Sequence, residues 1–213
     1  MNQDAAKLCA DSLRTFSKEK HDIKLKATHA HELVAAYFGY KSKSAMKADT
    51  KYPMSKLGQA EIIVSMPDDF IDKRRKKLQE LSPELPDSYT LGEVVYAPIF
   101  AGEFWTSQFP PFRSFKTLAK YLVENSEVFR GDLRFNQNVP MEHFVAVKEE
   151  ENYVLLTVTH TYRDHTGELK DNGDTIIKLP RIAGRIGYGK PEISVVNRTA
   201  GARRKLRFSG VQP

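Results

Sequence analysis

The chain has 213 residues, enough for one large domain or two small ones, and its 40% hydrophobic and 28% charged residues are those of a folded globular protein rather than a disordered one. It contains no apolar run of about 18 residues, which excludes a transmembrane helix of ordinary length, and the acid-bearing start MNQDAAKLCADSL does not read as a signal peptide. The formal charge of +6 favours polyanionic or acidic partners, and the lone Cys9 allows neither an internal disulfide nor a cysteine-rich zinc site, so a reducing, cytoplasmic setting is expected.

Ala5, Cys9, Leu13 and Phe16 recur at three- and four-residue spacing and predict a first helix over about Gln3 to Glu19, with Cys9 as a small buried hydrophobe. Thr28 is placed to cap a second helix to about Phe38, with Glu32 a few residues downstream in an approximate capping arrangement. Gly39 supplies the turn, Ser42 can cap a short third helix from Lys43 to about Asp49, and Pro53 ends any continuation.

This stretch, THAHELVAAYFGYKSKSAMKAD, resembles a helix-turn-helix. Ala35 and Gly39 occupy the small-residue and turn positions, and Val34, Phe38, Tyr40, Ala45 and Ala48 fall at the packed ones. The resemblance implies Lys43 to Ala48 as recognition helix, presenting Lys41, Lys43, Ser44 and Lys47. Lysines suit phosphate neutralisation rather than base reading, and two turns make a short reader.

Residues 6–49 are also similar to the small helical module of bacterial glyoxalase-related proteins. The shared positions are Ala6, Lys7, Ala10, Leu13, His29, Glu32, Leu33, Ala35 or Ala36, Gly39 and Tyr40, with Lys43 or Ser44 where an aromatic is usual. That likeness implies a fold for the segment and no catalytic residue. His29 and His31, two apart on a helix, point to different sides and do not chelate one ion, so no metal site is expected.

MSKLGQAEIIVS fits a short helix or a strand. Pro67, Asp68 and Asp69 open a helix carrying the run KRRKK at 73–77, a solvated face that also offers Arg74 and Arg75 as nucleic-acid contacts. LSPELPDS, with two prolines, reads as a linker, which divides the chain into a helical domain at 1–82, a linker at 83–90 and an α+β sheet domain at 91–213 with a basic C-terminal tail.

In that second part VVYAPIF (94–100) reads as a strand, and Ser114 caps a helix to about Phe129. Phe144–Lys148 and Tyr153–Tyr162, separated by EEEN, form a hairpin candidate; Thr175–Leu179 adds a strand, and Ile193–Val196 with Lys205–Phe208 a last hairpin. The fold class predicted is α+β: a small N-terminal helical domain, then a mostly antiparallel sheet with one covering helix. From Arg181 onward cations face only one acid, Glu192, and Arg203, Arg204 and Lys205 concentrate that charge.

No phosphate loop, dinucleotide-binding glycine pattern, serine-hydrolase elbow or H-E-x-x-H occurs, and GRIGYGKP lacks phosphate-loop spacing. His160, Tyr162, Arg163, Asp164 and His165 gather polar chemistry at a strand end, where a polar turn is the simpler reading. Nothing assigns an enzyme, a catalytic residue or a cofactor. The expectation is a non-enzymatic DNA-binding or DNA-associated protein of a bacterium or its mobile elements, with double-stranded DNA as partner and no membrane. The alternative is a protein-interaction module, a regulator or inhibitor of another macromolecule, using the aromatic segment GEFWTSQFPPF, whose Trp105 equally suits a core.

Overall fold

A computed structural model describes residues 4–125, 141–163, 166–196 and 203–206. The chain is α+β, with helices ahead of a mostly antiparallel sheet that one helix covers. It divides into two compact units, Met1–Ser114 with Arg181–Gly189, and Phe115–Pro180 with Lys190–Pro213.

In the first unit α1 (Ala5–His21) starts at Asp4, whose side chain accepts from the Ala6 amide, and buries Ala5, Ala6, Cys9, Ala10 and Leu13 along one side. Burial pushes the Cys9 thiol up to about 12, so it packs as an apolar group. The helix stops at Asp22, in the left-handed region at φ 55.

Helix α2 (Ala27–Tyr37) packs against α1, α3 (Lys43–Ala48), α4 (Asp68–Arg75) and α5 (Ser88–Pro98), and every residue from Leu33 to Phe38 is buried. Its N-cap is Lys26, without a side-chain bond, so Thr28 lies inside the first turn and does not cap it. Tertiary burial holds the C-terminal half of this helix, while Ala27 and Thr28 at its start are exposed.

The segment at 54–65 resolves into a 3₁₀ turn, Met54–Gln59, and a two-residue strand β1 (Ile62–Ile63). The strand expected at 94–100 is instead the end of α5 followed by a π-helical turn at Ile99–Glu103. Asp87 caps α5 by accepting from the Thr90 amide at 2.8 Å, and Leu91, Val95, Tyr96 and Ile99 follow at helical spacing, all buried.

The linker expected at 83–90 is likewise part of this unit. Leu85 and Ser88 are buried, the Tyr37 hydroxyl donates to the Ser88 carbonyl at 2.6 Å, and the unit continues to Ser114. Prolines there shape a packed turn and a helix start, and buried partners far along the chain hold it. Three aromatics of GEFWTSQFPPF belong to the core: Trp105, Phe109 and Phe112 are buried, and the indole Nε1 donates to the Ala60 carbonyl at 2.8 Å.

The return segment closes the first unit. Arg181 and Ala183, the end of β4 (Leu169–Ala183), pair with β5 (Gly187–Tyr188), and β5 pairs with β1 through Ile62–Tyr188 and Ile63–Gly187. Gly184, at φ +52, brings its Cα against the Phe38 carbonyl, where an added Cβ would lie 2.7 Å from the oxygen. The Arg185 amide donates to that same carbonyl at 3.1 Å, so the turn after α2 is held by residues about 145 positions later.

In the second unit α6 (Phe115–Asn125) buries Leu118, Ala119, Leu122 and Val123 and packs on β2 (Met141–Glu149) and β3 (Tyr153–Arg163). The strands run β2-β3-β4-β6-β7, all antiparallel, with β6 at Glu192–Val196 and β7 at Arg203–Leu206. Val154, Leu156, Val158, Ile177 and Leu179 alternate into the core. Strand β4 begins earlier than the expected Thr175 and takes in much of the turn placed at HTGELKDNGD; a bulge between His160 and Thr161 shifts the register and leaves both residues buried. The end of the helix expected at 126–129, and Asp164, His165, the TAGA turn and Phe208, fall outside the described residues.

Candidate nucleic-acid interface

Two acceptors hold the start of α3. The Ser42 hydroxyl accepts from the Ala45 amide at 3.1 Å, and Glu32 of α2 accepts from the Lys43 amide at 3.2 Å. At the other end the Asp49 carboxylate accepts from the amides of Lys51 and Tyr52, both at 2.9 Å, and turns the chain out of the helix. Asp49 also takes, at 3.0 Å, the Tyr40 hydroxyl, which lies 2.8 Å from the Tyr52 carbonyl, and burial raises the Tyr40 phenol. Six residues between those two devices make a helix of about 9 Å.

On α3 only Met46 is buried. Lys41, Ser44 and Lys47 are exposed and Lys43 is half-buried, and none of the three lysines forms an ion pair among the described residues. Lys43 and Lys47, four apart and therefore on one side of the helix, line a cleft of about 380 Å³. Ala6, Lys7 and Asp11 of α1 with its N-cap Asp4 also line it, and His31 of α2, Met46 and Met54 complete the lining. Burial lowers the His31 pKa, Lys43 and Lys47 lower it further, and Asp4 and Asp11 pull the other way.

Arg74 and Arg75 have a different setting. The Arg74 guanidinium is ion-paired with Glu32, both side chains less than a quarter exposed, while its buried Nε has no hydrogen-bond partner. Arg75 donates to the Ser88 hydroxyl at 3.3 Å and the Leu85 carbonyl at 3.1 Å, and the Ser88 hydroxyl donates to Asp72 at 2.5 Å. These two arginines join α2, α4 and the 85–88 turn. Lys73, Lys76 and Lys77 are the exposed members of that run.

Arg203, Arg204 and Lys205 lie on β7 of the second unit, in register with Val196, Val195 and Ser194 of β6. Of the nine residues picked out from the sequence, the structure therefore brings Lys43, Ser44 and Lys47 together on one short helix, with Lys41 in the turn before it. It assigns Arg74 and Arg75 to internal contacts and leaves the β7 cations in a separate unit. Sequence reasoning did not join Lys7 and His31 to Lys43 and Lys47: Lys7 was visible as a cation off the apolar stripe of α1, but nothing local tells which helix faces it.

His160, of the polar group at 160–165, is fully buried. Its Nε2 lies 2.8 Å from the Thr175 hydroxyl and its Nδ1 2.9 Å from His143 Nδ1, a strand-to-strand link within the sheet. Among the described residues no helix is long and apolar enough to cross a membrane. No family model, no curated protein and no solved structure matches the chain, so what it binds is argued from its own residues.

Proposed function

We propose that the protein is a non-enzymatic DNA-binding or DNA-associated protein that meets the phosphate backbone of a duplex through α3 and the turn before it. The observation that carries this reading is the set Lys41, Lys43 and Lys47, cations without an acidic partner among the described residues, the last two on a helix fixed at both ends and Lys41 in the turn before it. A helix of about 9 Å bearing lysines and one serine neutralises phosphates and positions the protein; it offers little for reading base edges. Arg203, Arg204 and Lys205 form a second cationic set, tested separately because it belongs to the other unit.

Fluorescence anisotropy with a labelled duplex over a salt series tests the reading. Each phosphate contact contributes about 0.9 to the slope of log affinity against log salt, so Lys43→Ala with Lys47→Ala is expected to lower that slope by about two. An unchanged slope moves the contact to the β7 cations. No binding to any duplex at low salt overturns the proposal.

A further inference from the structure

We propose that the cleft between α1 and α3 binds a small phosphate monoester, with Lys7, Lys43 and Lys47 around the phosphate. This goes beyond duplex binding, because Lys7 and His31 take no part in that reading.

Six ionisable groups face this cleft: Asp4, Lys7 and Asp11 from α1, His31 from α2, Lys43 and Lys47 from α3. Formal counting makes it nearly neutral, but the carboxylates are already engaged. Asp4 accepts the Ala6 amide and sits against the positive end of the α1 dipole. Asp11 lies 3.6 Å from the Arg14 guanidinium. Lys7, Lys43 and Lys47 have no such partner among the described residues, so three ammonium groups outnumber the two carboxylates of the lining and the cleft is net positive.

A phosphate monoester carries nearly two negative charges above its second pKa of about 6 and accepts hydrogen bonds on three oxygens, which matches several ammonium groups better than a carboxylate does. At about 380 Å³ the cleft stands near the lower end of ligand pockets, room for the phosphate and a small organic group. Met46 and Met54, both buried at the cleft wall, offer that group an apolar, adaptable surface. A diester brings one charge and two substituents and uses the site less well.

The test follows the His31 ring proton by NMR in the full chain while methyl phosphate or dimethyl phosphate is added, at about pH 7.5 so that the monoester is a dianion. Methyl phosphate is expected to give a saturable shift of that proton, since a dianion bound among Lys43 and Lys47 changes the charge beside the imidazole. Dimethyl phosphate is expected to give none. Lys7→Gln is expected to weaken methyl phosphate about fivefold while leaving duplex affinity and the thermal midpoint unchanged, because Lys7 is exposed. Saturable binding of methyl phosphate without duplex binding sinks the proposed function and keeps this one. Absence of a saturable shift, an equal response to the diester, or undiminished binding by Lys7→Gln overturns it. A 5′-phosphorylated single strand, compared with its 5′-hydroxyl form, then separates a nucleic-acid end from a free metabolite as the source of the monoester.

Discussion

The two basic stretches of the first unit, 41–47 with three cations and 73–77 with five, have opposite fates. In α4, Ile71 faces the core, and residues three and four later on a helix share its side; those are Arg74 and Arg75, and both are drawn into internal contacts. In α3 only Met46 is buried, and the lysines around it have no acidic partner among the described residues. Cationic density is therefore a poor guide until each charge has been matched to its acceptors, and arginine, with its planar fork of donors, is the residue that gets absorbed into structure.

If that contrast is right, Glu32→Ala has the largest effect. It removes the partner of Arg74 and an acceptor at the start of α3 together, leaving a half-buried guanidinium unpaired, and is expected to cost about 2–3 kcal/mol and to lower duplex affinity through a loosened α3. Chemical denaturation and anisotropy on the same sample check it; unchanged stability would mean that Arg74 is solvated like a surface cation. Arg75→Ala comes next, at about 1–2 kcal/mol for its bonds to Ser88 and Leu85, with duplex affinity unchanged. A loss of affinity at constant stability would reverse the assignment and make Arg75 a contact.

Replacing Lys73, Lys76 and Lys77 by Ala should move stability by about 0.5 kcal/mol or less, since of the three only Lys73 has a side-chain partner among the described residues, an exposed bond to Asp69 at 3.0 Å. A drop in duplex salt slope would bring α4 back into the interface.

The same reasoning explains what was legible beforehand. The α1 stripe, the Ser42 cap and the alternation of Val154, Leu156 and Val158 are local signals, and each appears in the fold. The helical character of 94–98 was hidden because VVYAPIF is apolar without polar punctuation, and its start signal, Asp87, lay in what composition marked as a linker. The return of 181–189 to the turn after α2 was out of reach, since a two-residue strand and a glycine beneath a carbonyl leave no periodic trace. For the candidate site the lysines of α3 were legible and their setting was not: which face of α1 opposes them is decided by packing across the bundle.

The smallest expected effect concerns pH. Burial, and after it Lys43, hold the His31 pKa below the ordinary value of about 6.5, and burial does the same for His143. A base whose folded pKa is lowered binds fewer protons than it does unfolded. Stability is therefore full above about pH 7 and declines as pH falls through about 6.5 towards the lower folded values. The carboxylates with lowered values, Asp22, Asp69, Glu80 and Asp87, act in a separate window at about pH 4 and below, where their protonation removes stability. Thermal midpoints across the histidine window should thus show a shallow loss on acidification. Lys43→Ala should make that loss shallower, because removing a nearby cation lets His31 protonate more readily in the folded chain. No change on Lys43→Ala would mean that the lysine is screened from the imidazole, and the cleft charge would then be weaker than the pairing of its neighbours implies.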